Sequence, residues 1–406
     1  MKIKAINPNI EKKIINSKNL LFIQDIDGVC IPLVKDPLKR VLERNYILAS
    51  KLLEEEFFVL TCGEHEGKRG VNRIIERALN KEDYTNTKGF YLPGLAACGV
   101  EYQDCQGNIS FEGISQKELN FLSKVPSIMR PEFISIIKRF FPEMKNKEIE
   151  EHIQKSICST KFSPTINLNS LFELIKNNSE KTKAIQKKCL LMMEKIISQA
   201  DLECSKGSFF LHISPNLGKS SSKEIMKFST STDIGSTDIQ FLVRGAVKDA
   251  GVLCLLNKYI GKKTGVMPFG KEFNFRNVPE STEEKISFCK KYIKKDDMPM
   301  ILGVGDTVTS KKEGDLYQRG GSDRSFLELI YLLGKEFEIE NKIFFVDSSS
   351  GEVFRPSTKE TGLDGITDKD DMLKFDFIFQ GGPKEYINWF INISKKRYHA
   401  KKSSIN

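Results

Sequence analysis

Apolar and polar positions alternate between two textures along the first eighty residues. Residues 19–26, NLLFIQDI, form an apolar run rich in β-branched and aromatic side chains, the pattern of a strand covered on both faces. In the following DPLKRVLERNYILASKLLEEE, Val41, Leu42, Tyr46, Ile47, Leu52 and Leu53 recur at near-helical spacing and predict a helix. FFVLT, ending at Thr61, predicts a second strand, and VNRIIERALN, beyond a polar GEHEGKRG loop, predicts a second helix. Strand, helix, strand, helix implies a parallel sheet covered by helices, in which ligands sit at the carboxyl ends of the strands.

The pattern returns late in the chain. MPMILGVGD, residues 298–306, predicts a strand ending in an acid; SDRSFLELIYLLGKEF predicts an amphipathic helix with Ser322 as N-cap; NKIFFVDSS predicts a further strand. Residues 1–95 and 269–395 are therefore expected to form one α/β core. The middle differs, with strand-like FYLPGL and SFFLHIS, helical KAIQKKCLLMMEKIISQ and IQFLVRGAVKDAGVLCLLNKY, and a Ser/Thr-rich stretch at 220–237. Residues 96–268 are expected to be an inserted α/β domain with a mobile loop, one large irregular domain being the alternative. The basic residues 396–406 are expected to fray, and no internal repeat is present.

Composition narrows the class. A 406-residue chain that is 39% hydrophobic and 29% charged is that of a soluble globular protein with a sizeable core. The formal net charge of +9 is interleaved with acids, which points to a solvated basic surface and fits acidic substrates, rather than to nucleic-acid binding. Nine cysteines without a CxxC pair suggest neither a disulfide framework nor a zinc site, and suit a reducing cytoplasm. The opening residues lack an apolar export segment and no stretch approaches about 18 consecutive apolar residues, so neither export nor a membrane span is expected.

The chemistry concentrates where strands end in carboxylates. Asp25, Asp27 and Asp306 each close an apolar run, a costly placement unless a divalent cation or another partner compensates it. If their strands are neighbours, the acids share one crevice. Gly28 lets the chain turn and re-aim Asp27 away from Asp25, so one carboxylate can attack while the other handles protons. An isolated D-x-D-G also occurs in metal-binding glycosyltransferases and in solvated turns. Thr61 ends the second strand, where its hydroxyl and the N–H groups of Cys62 and Gly63 could hold phosphate oxygens.

DIDGV, the strand-ending Thr61 and GVGDT, in that order, resemble the signature motifs of the haloacid dehalogenase-like phosphatases. The resemblance implies a Rossmann-like core with a cap, Asp25 as a nucleophile that becomes an aspartyl-phosphate, and Asp27 as general acid and base. It further implies magnesium held by Asp25, the carbonyl of Asp27 and Asp306. QDIDGVCIPLVKDPL, YLPGLAACGV, SPNLGK, FLVRGAVKDAGVLCLLN, RGGSDRSFL and VDSSSGEVFRP extend the likeness to the glucosylglycerol 3-phosphatases, a cyanobacterial family of compatible-solute synthesis. That likeness implies cytoplasmic hydrolysis of a small sugar phosphate, 2-O-glucosylglycerol 3-phosphate, and functional coupling to glucosylglycerol-phosphate synthase. Another sugar phosphatase or phosphomutase, and a catalytically silent sensor, are the competing readings.

Two departures from the superfamily pattern stand out. The positions where a second acid usually follows the GD motif hold Ser310 and Lys311, so Asp323, with Asp315 behind it, is the candidate for that role. For the phosphate-binding lysine, Lys271 lies about where the superfamily places it, and Lys248 is the alternative. GEHEGKRG resembles a P-loop only superficially, being one residue short with Arg69 in place of serine or threonine. Lys68 and Arg69 are left as phosphate contacts or loop solvation, and His65 as a structural turn residue.

Overall fold

A computed structural model describes residues 6–79, 87–175, 178–231 and 233–403. The chain first forms β1 (Leu20–Gln24), β2 (Phe57–Leu60), β3 (Gly94–Ala96), β4 (Glu101–Gln103) and β5 (Ile109–Phe111). The middle adds β6 (Ile157–Cys158), β7 (Thr165–Asn167), β8 (Phe209–Ser214), β9 (Asn216–Ser220), β10 (Lys223–Met226) and β11 (Asp238–Val243). The last third supplies β12 (Met300–Gly305), β13 (Thr309–Glu313), β14 (Leu316–Gly320), β15 (Lys342–Val346) and β16 (Phe377–Phe379).

The large sheet has the order β16-β15-β12-β1-β2-β3-β4-β5, parallel from β16 to β3 and antiparallel beyond. Period-two alternation divides its apolar residues between two covered faces. Leu20 and Phe22 of β1 join Phe57, Val59, Leu302, Val304 and Phe344 on one face. Helices α1 (Pro8–Asn16), α2 (Arg44–Leu52) and α3 (Val71–Ala78) cover that face together with the closing helix, Pro383–Ser403. Leu21 and Ile23 point the other way, with Phe58, Leu60 and Ile301.

The insert is a second layered unit. Strands β6-β7-β11-β8 form an antiparallel sheet, and α4 (Gln116–Phe140), α5 (Asn146–Ser156), the one-turn α6 (Asn169–Phe172) and α7 (Ser179–Glu203) accompany it. The alternate residues Ile239 and Phe241 of β11 are buried, Phe241 against Phe121 and Phe209. Returning to the core, α8 (Lys248–Thr264), α9 (Thr282–Tyr292) and α10 (Arg324–Phe337) cover the second face of the large sheet. The chain closes with the one-turn α11 (Thr358–Thr361) and α12 (Pro383–Ser403). The parallel core with an inserted second sheet is the expected layout, and no described helix is long and apolar enough to cross a membrane.

Several local expectations are corrected. The expected insert 96–268 contains β4 and β5, which extend the large sheet, and α8, which packs on β2 and α10; the separate sheet lies within 157–243. IQFLV is strand β11 rather than helix, because Gly245 at φ +89° turns the chain before α8 begins. Val41 is exposed: Asp36 caps a separate turn at Pro37–Lys39, and the helix starts at Arg44. Asp323, not Ser322, occupies the N-cap of α10. Of the Ser/Thr-rich stretch, Lys223–Met226 is strand and Lys227 pairs with Asp233 at 2.5 Å, while residue 232 lies outside the described residues.

The basic C-terminus does not fray through Ser403. Arg397 is buried, donates to Glu56 at 2.7 and 2.8 Å and to the carbonyls of Ile14, Ile15 and Ser17, and so ties α12 to the amino-terminal end of β2 and the end of α1. Residues 404–406 lie outside the described residues. A run of basic residues in a tail says nothing of one long cation finding a buried acid, which is why the sequence pattern missed it.

Candidate active site

The strand order β12-β1-β2 sets Asp306, Asp25 and Thr61 side by side, each one position past its strand's last residue. The Asp25 N–H donates to the Val304 carbonyl at 3.0 Å, holding the two strand ends together. Gly28, at φ +81°, turns the chain directly beneath Asp306: a Cβ there would stand 2.0 Å from Asp306 Oδ2. Glycine is required at this position by both conformation and space.

Asp323 completes the group, and the carboxylates of Asp25, Asp306 and Asp323 lie within 4.8 Å of one another. Asp323 is fully buried, and its Oδ2 accepts the N–H groups of Asp306 and Thr307, both at 2.9 Å. From the N-cap position of α10 its side chain therefore orients the late motif and makes no capping bond to the helix. Lys248 Nζ lies between acids, 2.6 Å from Asp323 and 2.8 Å from Asp25. Burial opposes the ammonium, yet Asp25 and Asp323 hold its pKa above the usual lysine range. Burial pushes Asp25 up to about 7, with Lys248 pulling it back. Burial, then Asp323 and Asp25, push Asp306 well above the carboxylate range, and its Oδ2 is buried without a hydrogen-bond partner. Three acids facing one lysine, with an orphaned oxygen among them, form a donor set that fits a hard divalent cation.

Asp27 points elsewhere, as the turn at Gly28 allows. It is partly exposed and paired with Arg40, whose Nη1 lies 2.8 and 3.2 Å from its two oxygens. Arg40 also donates to the carbonyl of Arg69. Sequence reasoning missed Arg40, since an arginine thirteen residues past D-x-D carries no pattern of its own. Thr61 is buried, and its Oγ1 already accepts the Gly63 N–H at 3.2 Å.

The remaining expected residues separate. Lys271, the lysine expected to bind phosphate, is exposed beyond α8, whereas the alternative, Lys248, is buried at the first position of α8 beside Asp25. Asp315 is exposed at the tip of the β13–β14 hairpin. Lys68 is exposed at the rim, while Arg69 donates to the carbonyl of Gln154 at 2.7 Å in α5 and so binds the loop to the insert. Glu64 does the same from beneath, accepting the N–H of Phe162 at 2.7 Å. His65 is buried and bonded to Gly94 and Gln103, and burial lowers its pKa to about 4, as suits a structural residue.

A cavity of about 910 Å³ opens between core and insert, with Asp25, Asp27, Arg40, Thr61, Lys68 and Lys248 on its core side. Thr165, Asn167, Asp238 and Gln240 line the opposite wall. These are the alternate positions of β7 and β11 whose neighbours Ile166, Ile239 and Phe241 are buried in the insert's own core, so strand periodicity makes that wall polar. Asp238 accepts from Asn167 Nδ2 and Thr237 Oγ1, both at 2.8 Å, and desolvation raises its pKa. Arg355, from the segment after β15, reaches the insert through the Gly235 carbonyl at 2.9 Å and Thr237 Oγ1 at 3.3 Å.

Cys62 and Cys98 form a disulfide, contrary to the expectation from cysteine spacing. Neighbouring strands β2 and β3 end side by side and bring together cysteines 36 positions apart. The other seven cysteines are free.

A buried strand-end carboxylate beside an acid cluster that fits a cation, a second carboxylate at the opening and a strand-ending hydroxyl are the kinds of group that phosphoryl transfer uses. Residues 19–394 match the family model described as glucosylglycerol-phosphate phosphatase. A glucosylglycerol-phosphate phosphatase of Synechocystis sp. is 38% identical over 400 residues, covering 94% of each chain. Among solved structures, the trehalose-6-phosphate phosphatase C-terminal domain of C. albicans aligns at a TM-score of 0.43 and 11% identity, covering 96% of this chain and 97% of that one. The trehalose-6-phosphate phosphatase of Aspergillus fumigatus aligns at 0.37 and 7%, covering 95% and 97%.

Proposed function

The chain belongs to the glucosylglycerol-phosphate phosphatase family, a family of phosphatases, and from that premise we propose that it hydrolyses 2-O-(α-D-glucosyl)glycerol 3-phosphate through an aspartyl-phosphate on Asp25. The observation that carries the reading is the convergence of Asp25, Asp306 and Asp323 at neighbouring strand ends, with Asp27 aimed separately into the same cavity. Magnesium is the proposed cation, held by the carboxylates of Asp25 and Asp306 and the carbonyl of Asp27, with Asp323 behind; when bound it would offset charge on the transferring phosphoryl group.

The chain's own groups divide the work. An oxygen of Asp25 forms a bond to phosphorus as the bond to the glycerol oxygen breaks, and Asp27 supplies the proton that oxygen needs. Asp27, then a carboxylate, takes a proton from the water that attacks phosphorus, which frees phosphate and restores Asp25. Lys248 and Thr61 would hold phosphoryl oxygens, and Arg40 positions Asp27 between the two steps. Lys68 remains a rim contact for an arriving dianion.

The insert, drawn at about 112–247, acts in this reading as a cap. Its polar wall of Asn167, Asp238 and Gln240 supplies hydrogen-bond partners for glucosyl hydroxyls, and selection between sugar phosphates must come from such contacts to the leaving group. The reaction would run in the cytoplasm on the product of glucosylglycerol-phosphate synthase. A substrate panel tests the proposal: kcat/KM for glucosylglycerol 3-phosphate should exceed that for trehalose 6-phosphate, sucrose 6-phosphate and glycerol 3-phosphate. Preference for trehalose or sucrose phosphate would overturn the substrate while leaving the aspartyl-phosphate chemistry standing.

A further inference from the structure

His212, on β8 of the insert, is a buried base with one ring nitrogen left over. It is 7% exposed; its Nδ1 lies 3.0 Å from Glu224 Oε1, and its Nε2 has no hydrogen-bond partner. Glu224 is itself held, its Oε2 accepting from the Ile213 N–H at 2.7 Å and from Asn216 Nδ2 at 2.9 Å. A carboxylate oxygen accepts at Nδ1, so the neutral form of the ring carries its proton there and presents a lone pair at Nε2. A buried acceptor without a partner is rare enough to require an explanation.

Two sulfurs lie close to the same ring. A ring nitrogen of His212 and the sulfurs of Cys62 and Cys98 all lie within 4.8 Å of one another. Imidazole anchored through Nδ1 to a carboxylate, with two sulfurs close to the ring, is the donor set of a soft or borderline divalent ion, quite unlike the oxygen cluster at Asp25 and Asp306. In the structure the two sulfurs are joined as a disulfide, which cannot act as a pair of thiolate ligands.

We propose that reduction of the Cys62–Cys98 bond converts this corner into a binding site for a zinc-class divalent ion, with Cys62, Cys98 and His212 as ligands. An external dithiol supplies the two electrons and two protons and closes to its own disulfide; the ion then displaces the two thiol protons. Cys62 lines the cavity, so the fourth position is open to solvent there. The ligands come from the loop after β2, the turn after β3, and β8 of the insert. A bound ion would therefore pin the insert to the loop carrying Thr61. That last consequence rests on reading the insert as a cap that must open; the site itself does not.

Cobalt titration of the reduced full-length chain, freed of reductant and saturated with magnesium, tests the site. One equivalent should bind with thiolate-to-cobalt charge-transfer absorption, and zinc should displace it. His212→Ala and Cys98→Ser should each weaken binding on the order of 100-fold or more, and the oxidised chain should show no such band. A reduced chain without the band, or a band that survives both substitutions, would overturn the proposal and leave His212 Nε2 with a water alone. Zinc should also protect Cys62 and Cys98 of the unsubstituted chain from alkylation, a readout independent of any variant's folding; equal labelling with and without zinc counts against the site. Zinc should lower phosphatase turnover of the unsubstituted reduced chain and spare His212→Ala. Binding without loss of turnover would overturn the pinning and retain the site.

Discussion

The large sheet buries charge at both of its ends and treats it in opposite ways. At the amino-terminal end of β2, Glu56 meets Arg397 and Lys401, and every nitrogen of the Arg397 guanidinium is engaged by Glu56 or by the backbone carbonyls around it. At the carboxyl ends of β1 and β12, three acids crowd one lysine and leave an Asp306 oxygen unpartnered. A satisfied network fixes a structure, here the docking of α12. An unbalanced one costs stability unless something arrives to complete it, which is the property a phosphoryl-transfer site needs.

Substitution should separate the two ends. The largest effect is expected from Asp25→Asn: phosphate release should fall on the order of 10⁴-fold or more, because an amide does not attack phosphorus, while thermal stability should hold or rise as one crowded acid is neutralised. Unfolding of this variant would show that the carboxyl end is as structural as the amino end. Chelation should likewise abolish turnover and magnesium restore it, whereas undiminished turnover in excess chelator would remove the cation from the account.

Glu56→Gln should do the reverse. Leaving Arg397 buried without its counter-charge should cost about 3–5 kcal/mol in urea unfolding, with kcat of the folded fraction unchanged. A smaller effect is expected at the cap wall: Asp238→Ala should lower kcat/KM for the glucosylglycerol ester about 10- to 100-fold, as loss of a hydrogen bond to a charged group does, and barely alter hydrolysis of a small aryl phosphate. Equal losses on both substrates would deny the wall its role in selection.

The smallest expected effect is one of pH. Burial raises the Glu56 pKa, but Arg397 and Lys401 more than reverse that, so it lies below the ordinary 4.5. A carboxyl depressed in the folded state binds its proton more readily when unfolded, so its stabilisation is complete above 4.5 and is lost as pH falls through the folded value. Acid unfolding should therefore be shallower in Glu56→Gln. An identical slope would mean that other carboxyls carry the acid sensitivity.

Much of this was legible in apolar runs that end in acids. Asp25 and Asp306 follow strands whose composition demands two covered faces, and parallel pairing then brings their ends together. Lys248 was harder: a lysine in an apolar helix reads as surface charge until the helix is docked with its first turn against Asp25. Arg40, Arg355 and the Cys62–Cys98 pair depend on loops meeting across the fold, for which linear spacing holds no signal. The division at Val243 between strand and helix was obscured because apolar residues resume soon after Arg244 and Gly245.

The central claim is that Asp25 is the nucleophile of the unbalanced end. The most direct test is acid quenching of the magnesium-loaded enzyme during turnover of glucosylglycerol 3-phosphate, followed by peptide mapping by mass spectrometry. An acid-stabilised phosphoryl group is expected on the peptide carrying Asp25, absent in Asp25→Asn. A phosphoryl group on any other residue would contradict it.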